Sequence, residues 1–308
     1  MVSAPSERTT TDARPALDRF LHDHPGRDVT VEGGHKLHVI DEGSGRPVVM
    51  IHGNPSWGFY YRNLLEDLAR DHRVIVPDHI GMGRSAKPGD SAYEYTLARR
   101  VADLESTLDQ LGVTGDITLV MHDWGGMIGT TFATMHPDRI ARLVVLNTAG
   151  FGLPTEKPFP WSLKLSRNGT IGALFVRGLN GFVRGTAFIG TKRNPMSADV
   201  KRGYAWPYDS WANRRAVHRF VQDIPLSPKD KAWPVLKQVE AKLSSLKGKP
   251  MFVAFGLKDP VFDAHFLKGW TDRFPEAEVV RYPDAGHYVL EDVGPELVGK
   301  IRAFLERT

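Results

Sequence analysis

Asp123 stands at a point in the sequence where a carboxylate could act as a nucleophile. The segment ITLVMHDWGG, residues 117–126, is an apolar run that predicts a β-strand, and it passes directly into a helical pattern opened by two glycines. A sharp strand-to-helix turn of this kind presents one side chain at the top of a sheet, as in a nucleophile elbow. The positive end of the following helix favours the ionised form of that side chain. Alternatively, Asp123 could serve only as the N-cap of the helix, since aspartate is among the best capping residues.

Two residues downstream of Asp123 favour the catalytic interpretation. A nucleophile, histidine and acid device needs a base and a group that orients it, and after a nucleophile elbow these follow in the order acid, then histidine. Asp259 lies in FGLKDP, residues 255–260, and His287 ends PDAGH, residues 283–287, each just after a predicted strand. Singly, they could be an ordinary turn residue and a surface imidazole. Together they predict a triad with Asp123 as nucleophile, His287 as general base and Asp259 as orienting acid.

Two donors of hydrogen bonds to an anion are predicted beside the triad. The segment IHGNP, residues 51–55, follows an apolar strand, so its backbone N–H groups could meet an oxyanion while the Asn54 amide points into the same space. Trp124 directly follows the nucleophile, and its indole N–H could donate to a leaving group. The alternatives are a plain turn at Asn54 and a core tryptophan at Trp124. We predict that Asn54 and Trp124 bind a halide or another anion.

The elements that must position these residues alternate along the chain. Short β-branched apolar runs alternate with longer helical patterns, which is typical of a mainly parallel, doubly wound sheet covered on both faces. The first two strands flank Gly33 and Gly34 and predict an antiparallel hairpin. The predicted strands are residues 29–31, 36–40, 47–51, 73–76, 117–121, 142–146, 251–255 and 278–281, and the predicted covering helices are residues 60–69, 97–111, 125–136 and 295–306.

One long segment lacks this alternation. Residues 149–249 contain no good strand, but they contain amphipathic stretches separated by prolines, which predict a helical cap inserted between sheet strands. Within it, residues 171–189 are rich in Gly, Leu and Phe and are interrupted by Arg177 and Arg184. This stretch could line an apolar pocket or contact a membrane surface, and the pocket and core interpretation is favoured. The predicted domains are a polar leader at 1–28, a core in two parts at 29–148 and 250–308, and the cap at 149–249.

Composition excludes several classes of protein and of site. The 308 residues include no cysteine, so disulfides, thiolate catalysis and cysteine-bound zinc are excluded. The net charge is +4, but the basic residues are scattered, which favours a solvated surface over nucleic-acid binding. No apolar run approaches the roughly 18–20 residues of a transmembrane segment, and the N-terminus is polar where a signal peptide would be apolar, so a cytoplasmic protein is expected. Histidines with metal-ligand spacing and a phosphate-loop motif are both lacking, so we expect neither a metal nor a cofactor.

The motifs together resemble the haloalkane dehalogenases of the α/β-hydrolase fold. The resemblance rests on HGNP at 52–55, PDHIGMGRS at 77–85 and HDWGG at 122–126, with Asp259 and His287, and it extends from about residue 29 to residue 304.

This resemblance implies a fold, a reaction and a role for each site residue. Asp123 would attack carbon in an SN2 step, Asn54 and Trp124 would hold the departing halide, and His287, oriented by Asp259, would activate water to cleave the ester. The function implied is hydrolytic dehalogenation of haloalkanes through a covalent aspartyl-alkyl ester, giving alcohol and halide. In one branch of the family the acid is a Glu after the sixth strand, where this chain has Asn147. The pattern therefore resembles the third branch.

Three other functions are left open by the same residues. The motifs HDWGGMI at 122–128, YDSW at 208–211 and YVLED at 288–292 also resemble the β-lactone decarboxylases of bacterial long-chain olefin biosynthesis, which are lyases. They would reuse the same Asp, His and Asn on a long-chain β-lactone, and they imply possible assembly with other enzymes of a lipid pathway. An epoxide hydrolase ranks lower, and Tyr204 and Tyr208 would then protonate the epoxide. A catalytically silent receptor or scaffold is disfavoured by the complete triad.

Overall fold

The alternating apolar runs fold into one sheet, which a computed structural model describes together with its covering helices for residues 14–308. In this part of the chain the sheet has eight strands, in the spatial order first, second, fourth, third, fifth, sixth, seventh, eighth. The first two strands form an antiparallel hairpin and the second pairs antiparallel with the fourth, whereas all other neighbours are parallel. The strands are β1 (Arg27–Val31), β2 (His35–Glu42), β3 (Pro47–Ile51), β4 (Arg73–Pro77), β5 (Ile117–Asp123), β6 (Ile140–Thr148), β7 (Met251–Gly256) and β8 (Glu278–Tyr282).

The central strands are apolar throughout because both faces of the sheet are buried. In β3, Val48 and Met50 pack into one core cluster, while Val49 and Ile51 pack into the cluster on the opposite face. Successive side chains of a strand point to opposite faces, so a strand buried on both faces must be a continuous apolar run. The predicted fold class, an α/β-hydrolase fold with a mainly parallel sheet, is confirmed.

The helices lie between the strands in chain order. Outside the segment between β6 and β7 they are α1 (Ala16–Asp23), α2 (Arg62–Leu68), α3 (Leu97–Gln110), α4 (Trp124–Met135), α11 (Ala264–Arg273), α12 (Val289–Asp292) and α13 (Gly294–Arg307). Between β6 and β7 they are α5 (Trp161–Arg167), α6 (Thr170–Ala173) with the π-helical turn Leu174–Gly178, α7 (Gly181–Ile189), α8 (Ala198–Ala205), α9 (Arg215–Gln222) and α10 (Trp233–Lys242). We call residues 149–249 the cap. No strand occurs in it among the described residues.

Outside the cap, three helices were not predicted: α1, α11 and the single-turn α12. The polar leader predicted at residues 1–28 contains α1, and β1 already begins at Arg27, whereas residues 1–13 lie outside the described residues. Helix α1 is held by Leu17 and Phe20, which are three residues apart and both buried. The Phe20 ring packs at 5.5 Å from Trp57. The prediction missed α1 because only this short apolar stripe distinguishes it from a polar tail.

Helix α11, between β7 and β8, was also absent from the predicted helices. It buries Phe266, Leu267 and Trp270, which recur at the three- and four-residue spacing of an amphipathic helix. Among the helices of residues 14–308, none is long and apolar enough to cross a membrane.

Candidate active site

The predicted site residues meet at the carboxyl edge of the sheet. Asp123 is the last residue of β5, and Asn54, Asp259 and His287 lie in the loops that follow β3, β7 and β8. The carboxyl ends of parallel strands share one edge, where ligands of open α/β sheets bind. All four residues, and Trp124 at the start of α4, line one cavity between the sheet and the cap.

The turn at Asp123 has the geometry of a nucleophile elbow. Its backbone has φ of 52° and ψ of −125°, an uncommon conformation for a residue other than glycine. The Asp123 side chain makes no capping hydrogen bond to α4, so the N-cap alternative does not describe it. The turn depends on Gly125, because a Cβ there would lie 1.9 Å from the carbonyl oxygen of Ile51. The strand-to-helix turn therefore directs the Asp123 carboxylate into the cavity.

The Asp123 carboxylate is buried but partly stabilised. Its Oδ1 accepts a hydrogen bond of 2.5 Å from the backbone N–H of Asn54, and its Oδ2 lies 3.7 Å from Nε2 of His287. Burial raises the pKa of Asp123, while His287 and the backbone N–H groups of Asn54 and Trp124 offset part of the rise. A desolvated carboxylate held in this way is a stronger nucleophile than one in water.

His287 is held between two carboxylates. Its Nδ1 donates to Oδ2 of Asp259 at 2.8 Å, which leaves Nε2 facing Asp123. Burial alone lowers the pKa of His287, but Asp259, with a contribution from Asp123, outweighs burial and raises it above its usual value. The raised pKa favours the protonated form of His287 beside Asp123, and the neutral form could act as a base through Nε2.

Asn147 fixes the orientation of Asp259. Its Nδ2 donates to Oδ2 of Asp259 at 3.0 Å, and its Oδ1 accepts from the backbone N–H of Gly256 at 2.8 Å. Asn147 itself has a positive φ of 34°. The sequence had marked this position only as the place where an alternative acid is absent. In the structure, the amide found there supports the acid that is present.

His122 supports the backbone of His287. The Nε2 of His122 donates to the backbone carbonyl of His287 at 2.9 Å, and its ring stacks at 4.3 Å on Tyr60. Burial, together with the neighbouring His287, holds the pKa of His122 well below its usual value. His122 is therefore a neutral positioning residue, and only its place beside Asp123 in the sequence hinted at a role.

The segment that follows His287 ties the catalytic loop to the cap. Asp292 is fully buried, and its carboxylate accepts hydrogen bonds of 2.8 to 2.9 Å from the backbone N–H groups of residues 192–194 in the cap. The same carboxylate accepts one of 2.6 Å from Gly286, next to His287. Sequence reasoning missed Asp292, because its partners lie about a hundred residues away.

The two cap tyrosines do not face the cavity. The Tyr204 hydroxyl donates to Glu291 at 2.6 Å, and Glu291 also forms a two-bond ion pair with Arg62. The Tyr208 hydroxyl donates to the carbonyl of Ser56 at 3.3 Å. Neither tyrosine lines the cavity, so neither is placed to protonate an epoxide there.

The two predicted anion donors differ in how free they are. Nδ2 of Asn54 donates to the carbonyl of Val217 in α9 at 3.1 Å, so one of its N–H groups is committed to the cap. The indole N–H of Trp124 has no hydrogen-bond partner among residues 14–308, and the ring packs at 5.4 Å from Phe220. Trp124 is therefore the more available donor, and Asn54 can contribute its remaining N–H.

The cavity is suited to an apolar molecule. Its empty volume is about 1210 Å³, the open mouth included. Its polar side chains are few and lie mainly at the triad, and within the described part of the chain no group of three His, Asp or Glu side chains could hold a metal ion. The apolar wall comes from both core and cap, and consists of Trp124, Met127, Ala149, Phe151, Leu153, Phe159, Pro160, Leu163, Phe182, Ile189, Val221, Ile224, Pro225, Leu226, Pro260, Val261, Phe262 and Phe266.

Comparison with known proteins confirms the resemblances seen in the sequence. The profile of the alpha/beta hydrolase fold family matches residues 46–292. A cis-3-alkyl-4-alkyloxetan-2-one decarboxylase of Shewanella oneidensis is 50% identical over 89% of this chain and 86% of its own. A decarboxylase of the same name from Xanthomonas campestris is 49% identical over 92% of this chain and 98% of its own.

Haloalkane dehalogenases are similar at a greater distance. The dehalogenase of Mycolicibacterium paratuberculosis is 34% identical over 86% of both chains. The crystal structure of the haloalkane dehalogenase DatA from Agrobacterium tumefaciens superposes with a TM-score of 0.81 at 23% identity, covering 92% of this chain and 96% of DatA. At that identity the superposition supports the fold alone.

Proposed function

The chain belongs to the α/β-hydrolase fold family, and from that premise we propose that it is a decarboxylase of cis-3,4-dialkyl β-lactones. One observation carries this proposal. Two relatives named as cis-3-alkyl-4-alkyloxetan-2-one decarboxylases are 50% and 49% identical to this chain, whereas a relative named as a haloalkane dehalogenase is 34% identical. The triad suits either reaction. The higher sequence identity to the decarboxylases therefore supports ranking lactone decarboxylation first, whereas the sequence motifs had favoured dehalogenation.

Asp123 can open a β-lactone by the step that would displace a halide. An oxetan-2-one is a strained four-membered ring in which C4 bears the ring oxygen. Attack of the Asp123 carboxylate on C4 forms a C4–O ester bond and breaks the ring C4–O bond, inverting C4. The displaced group is a carboxylate that stays attached through C3. Asn54 and Trp124 donate to this carboxylate as they would to a halide.

Loss of CO2 then completes the reaction without water. The electron pair of the bond between C3 and the carboxylate forms the C3–C4 double bond, and the ester electron pair returns to Asp123. Inversion at C4 has placed the two departing groups on opposite sides, so their loss from a cis-lactone gives a cis-alkene. The products are alkene and CO2, and Asp123 is regenerated. The His287 imidazolium, 3.7 Å from Asp123, stabilises the carboxylate as it departs.

The apolar cavity supports the same substrate class. Its wall can bury two alkyl chains, while the polar groups are concentrated at Asp123, His287 and the two anion donors. We propose that the cap, residues 149–249, selects the chain lengths that enter.

The test is the product formed from a cis-3,4-dialkyl β-lactone in ¹⁸O-labelled water. We expect the purified protein to release cis-alkene and CO2. Because the proposed reaction does not consume water, the CO2 should carry no ¹⁸O when it is released. Gas chromatography with mass spectrometry measures the alkene, and rapid quenching separates enzymatic labelling of CO2 from its exchange with water. A β-hydroxy acid carrying ¹⁸O as the main product would mean that the enzyme hydrolyses the lactone, and it would refute the proposal.

Haloalkane hydrolysis is the second candidate, favoured by the indole N–H of Trp124, which lines the cavity and has no hydrogen-bond partner within residues 14–308. In that reaction, neutral His287 would activate water against the Asp123 ester. Incubation with 1-bromobutane or 1,2-dibromoethane should then release halide, and Asp123→Ala should abolish the release. Halide release without alkene formation from the lactone would make dehalogenation the function.

A further inference from the structure

The outer face of the cap exposes large apolar side chains. Of the eleven most exposed large apolar side chains in residues 14–308, seven lie between residues 157 and 197, a stretch that we call the basic cap segment. Trp161 is 78% exposed, Phe188 76% and Leu179 69%. Exposed apolar patches of this kind mark interaction surfaces in proteins.

These side chains lie on helices that pack against one another. Helix α5 contacts α6, and the π-helical turn contacts both α6 and α7, so the exposed positions are on adjoining elements. Other apolar residues of the same helices face inward, since Leu163, Val176 and Val183 are buried. The segment therefore presents apolar side chains to solvent as well as to the core. The sequence had favoured pocket and core for residues 171–189, and the structure assigns only part of that stretch to them.

The charge of the segment is of one sign. Residues 157–197 contain seven Lys and Arg and no Asp or Glu, although the whole chain is nearly balanced, with 40 basic and 36 acidic residues. Lys164, Arg184 and Lys192 are exposed, and none of the three is in an ion pair with a residue in the described range 14–308. Just beyond the segment, Lys201 lies 4.5 Å over the ring of Phe188. Lys164, Arg184 and Lys192 therefore supply cations beside the exposed apolar side chains, whereas Lys157, Arg167 and Arg193 are each paired with an acid from outside the segment.

The exposed surface reaches the entrance of the cavity. Ile189 is 52% exposed and also lines the cavity. Ser162 and Leu163, which follow Trp161 in α5, line the cavity too. A molecule held against the basic cap segment would be next to the opening that leads to Asp123.

We propose that the basic cap segment docks on the surface of an anionic lipid bilayer. Trp161 and Phe188 insert at the level of the headgroups, and Lys164 and Arg184 contact anionic headgroups. Amphipathic helices with aromatic residues and a cationic rim bind membrane interfaces in this way, and the attraction grows with each basic residue near an anionic surface. A protein partner would need an apolar surface with matching acidic groups, whereas an anionic bilayer offers apolar depth and negative charge over its whole area.

Docking would deliver apolar substrates from the bilayer to the cavity, a consequence that rests on the proposed function. Long-chain β-lactones partition into lipid, so the cavity entrance at Ile189 would open where they are concentrated. The docking itself is independent of the reaction, and it can be measured without substrate.

The test is flotation of the full chain with vesicles of two compositions. We expect the protein to float with phosphatidylcholine vesicles that contain about one third phosphatidylglycerol, and to remain below vesicles of phosphatidylcholine alone. The double variants Trp161→Ser/Phe188→Ser and Lys164→Glu/Arg184→Glu should each weaken binding about tenfold or more. The matched control is Met135→Ser/Arg70→Glu, which changes one exposed apolar and one exposed basic residue outside the segment and should bind like the unaltered protein. Thermal melting verifies that every variant is folded.

Two outcomes would overturn the proposal. One is an unaltered protein that stays below the anionic vesicles. If that protein also forms dimers that Trp161→Ser/Phe188→Ser dissociates, the exposed surface binds a second copy of the chain and not lipid. The other is a control that loses as much binding as the two test variants. Activity on a short, water-soluble β-lactone, which should be equal in all these proteins, separates failure of docking from failure of the proposed reaction.

Discussion

The carboxyl edge of the sheet and the outer face of the cap follow opposite rules. At the sheet edge, Asp123, Asp259 and His287 are each at most 9% exposed, and each is bonded to a named neighbour. On the cap, the helices from Trp161 to Ile189 expose large apolar side chains to solvent. In the first region, polar groups are hydrogen-bonded within the protein and fix the geometry of the site. In the second region, apolar groups are exposed and could contact a binding partner or a membrane.

This difference separates the reaction from access to it. The relatives named as decarboxylases and those named as dehalogenases both cover more than four fifths of this chain, and the sequence motifs could not choose between them. In the function that we propose, a fixed carboxylate attacking carbon serves either reaction, so the sheet edge would determine how a bond is broken. The cap would determine which molecule arrives. Variants in each region can show whether the two roles are separate.

The largest effect is expected from the nucleophile. Asp123→Asn keeps the shape of the side chain but removes its negative charge, so alkene formation from a cis-β-lactone should fall about 10⁴-fold or more. Steady-state assays of alkene release measure the loss. The matched control is Asp116→Asn, because Asp116 also has a positive φ, of 53°, but is exposed at the opposite end of β5. Activity retained within about tenfold in Asp123→Asn would mean that the sheet edge does not supply the nucleophile.

The next effect is expected from the orienting acid. In Asp259→Asn the carboxylate that holds His287 and raises its pKa is lost, so turnover should fall about a hundredfold. The pH dependence of the rate shows which protonation state of His287 the reaction requires. Lactone decarboxylation needs the imidazolium, so its rate should fall as pH rises through the pKa of His287, and this alkaline limb should move to lower pH in the variant.

Dehalogenation would show the opposite dependence at the same residue. It needs neutral His287 as base, so its rate should rise with pH through that pKa. At the acid end, both reactions should lose rate as pH falls through the pKa of Asp123, which burial raises above its usual value. An alkaline limb that is unchanged in Asp259→Asn would show that His287 does not control the rate.

How far the sequence predicted the molecule depends on the distance between interacting residues. The central strands were predictable because burial on both faces of the sheet makes them continuous apolar runs. The triad was predictable because Asp123 ends a strand and Asp259 and His287 each follow one, in a fixed chain order. Asn147 and Asp292 were not identified as supports, although motifs drew attention to both positions, since the groups they hold in place across the fold lie about a hundred residues away. The cap resisted prediction for a related reason, because the same amphipathic spacing fits a buried face and an exposed one.

A smaller effect is expected where the two regions are joined. Asp292→Asn replaces the fully buried carboxylate that accepts from Gly286 and residues 192–194, so some of these backbone N–H groups lose a charged acceptor. The free energy of unfolding should fall by about 2–4 kcal/mol, as measured by urea denaturation. Asp284→Asn is the matched control, because Asp284 lies in the loop between β8 and α12, is half exposed and, within residues 14–308, forms an ion pair only with Arg193, so its loss should be below about 1 kcal/mol. Equal losses in the two variants would mean that Asp292 does not join the catalytic loop to the cap.

The smallest effect is expected at Tyr204, which connects cap and core without reaching the cavity. Its hydroxyl donates to Glu291, so Tyr204→Phe should lower the free energy of unfolding by about 1–3 kcal/mol, the range for a hydrogen bond to a charged group. Turnover should remain within about twofold of that of the unaltered protein, since Tyr204 does not line the cavity that contains the triad. Tyr208→Phe provides the comparison, because that hydroxyl donates only to neutral acceptors and its loss should cost less. A hundredfold fall in turnover for an epoxide substrate in Tyr204→Phe would instead place a cap hydroxyl in the chemistry, and the separation between a reactive sheet edge and a selective cap would fail.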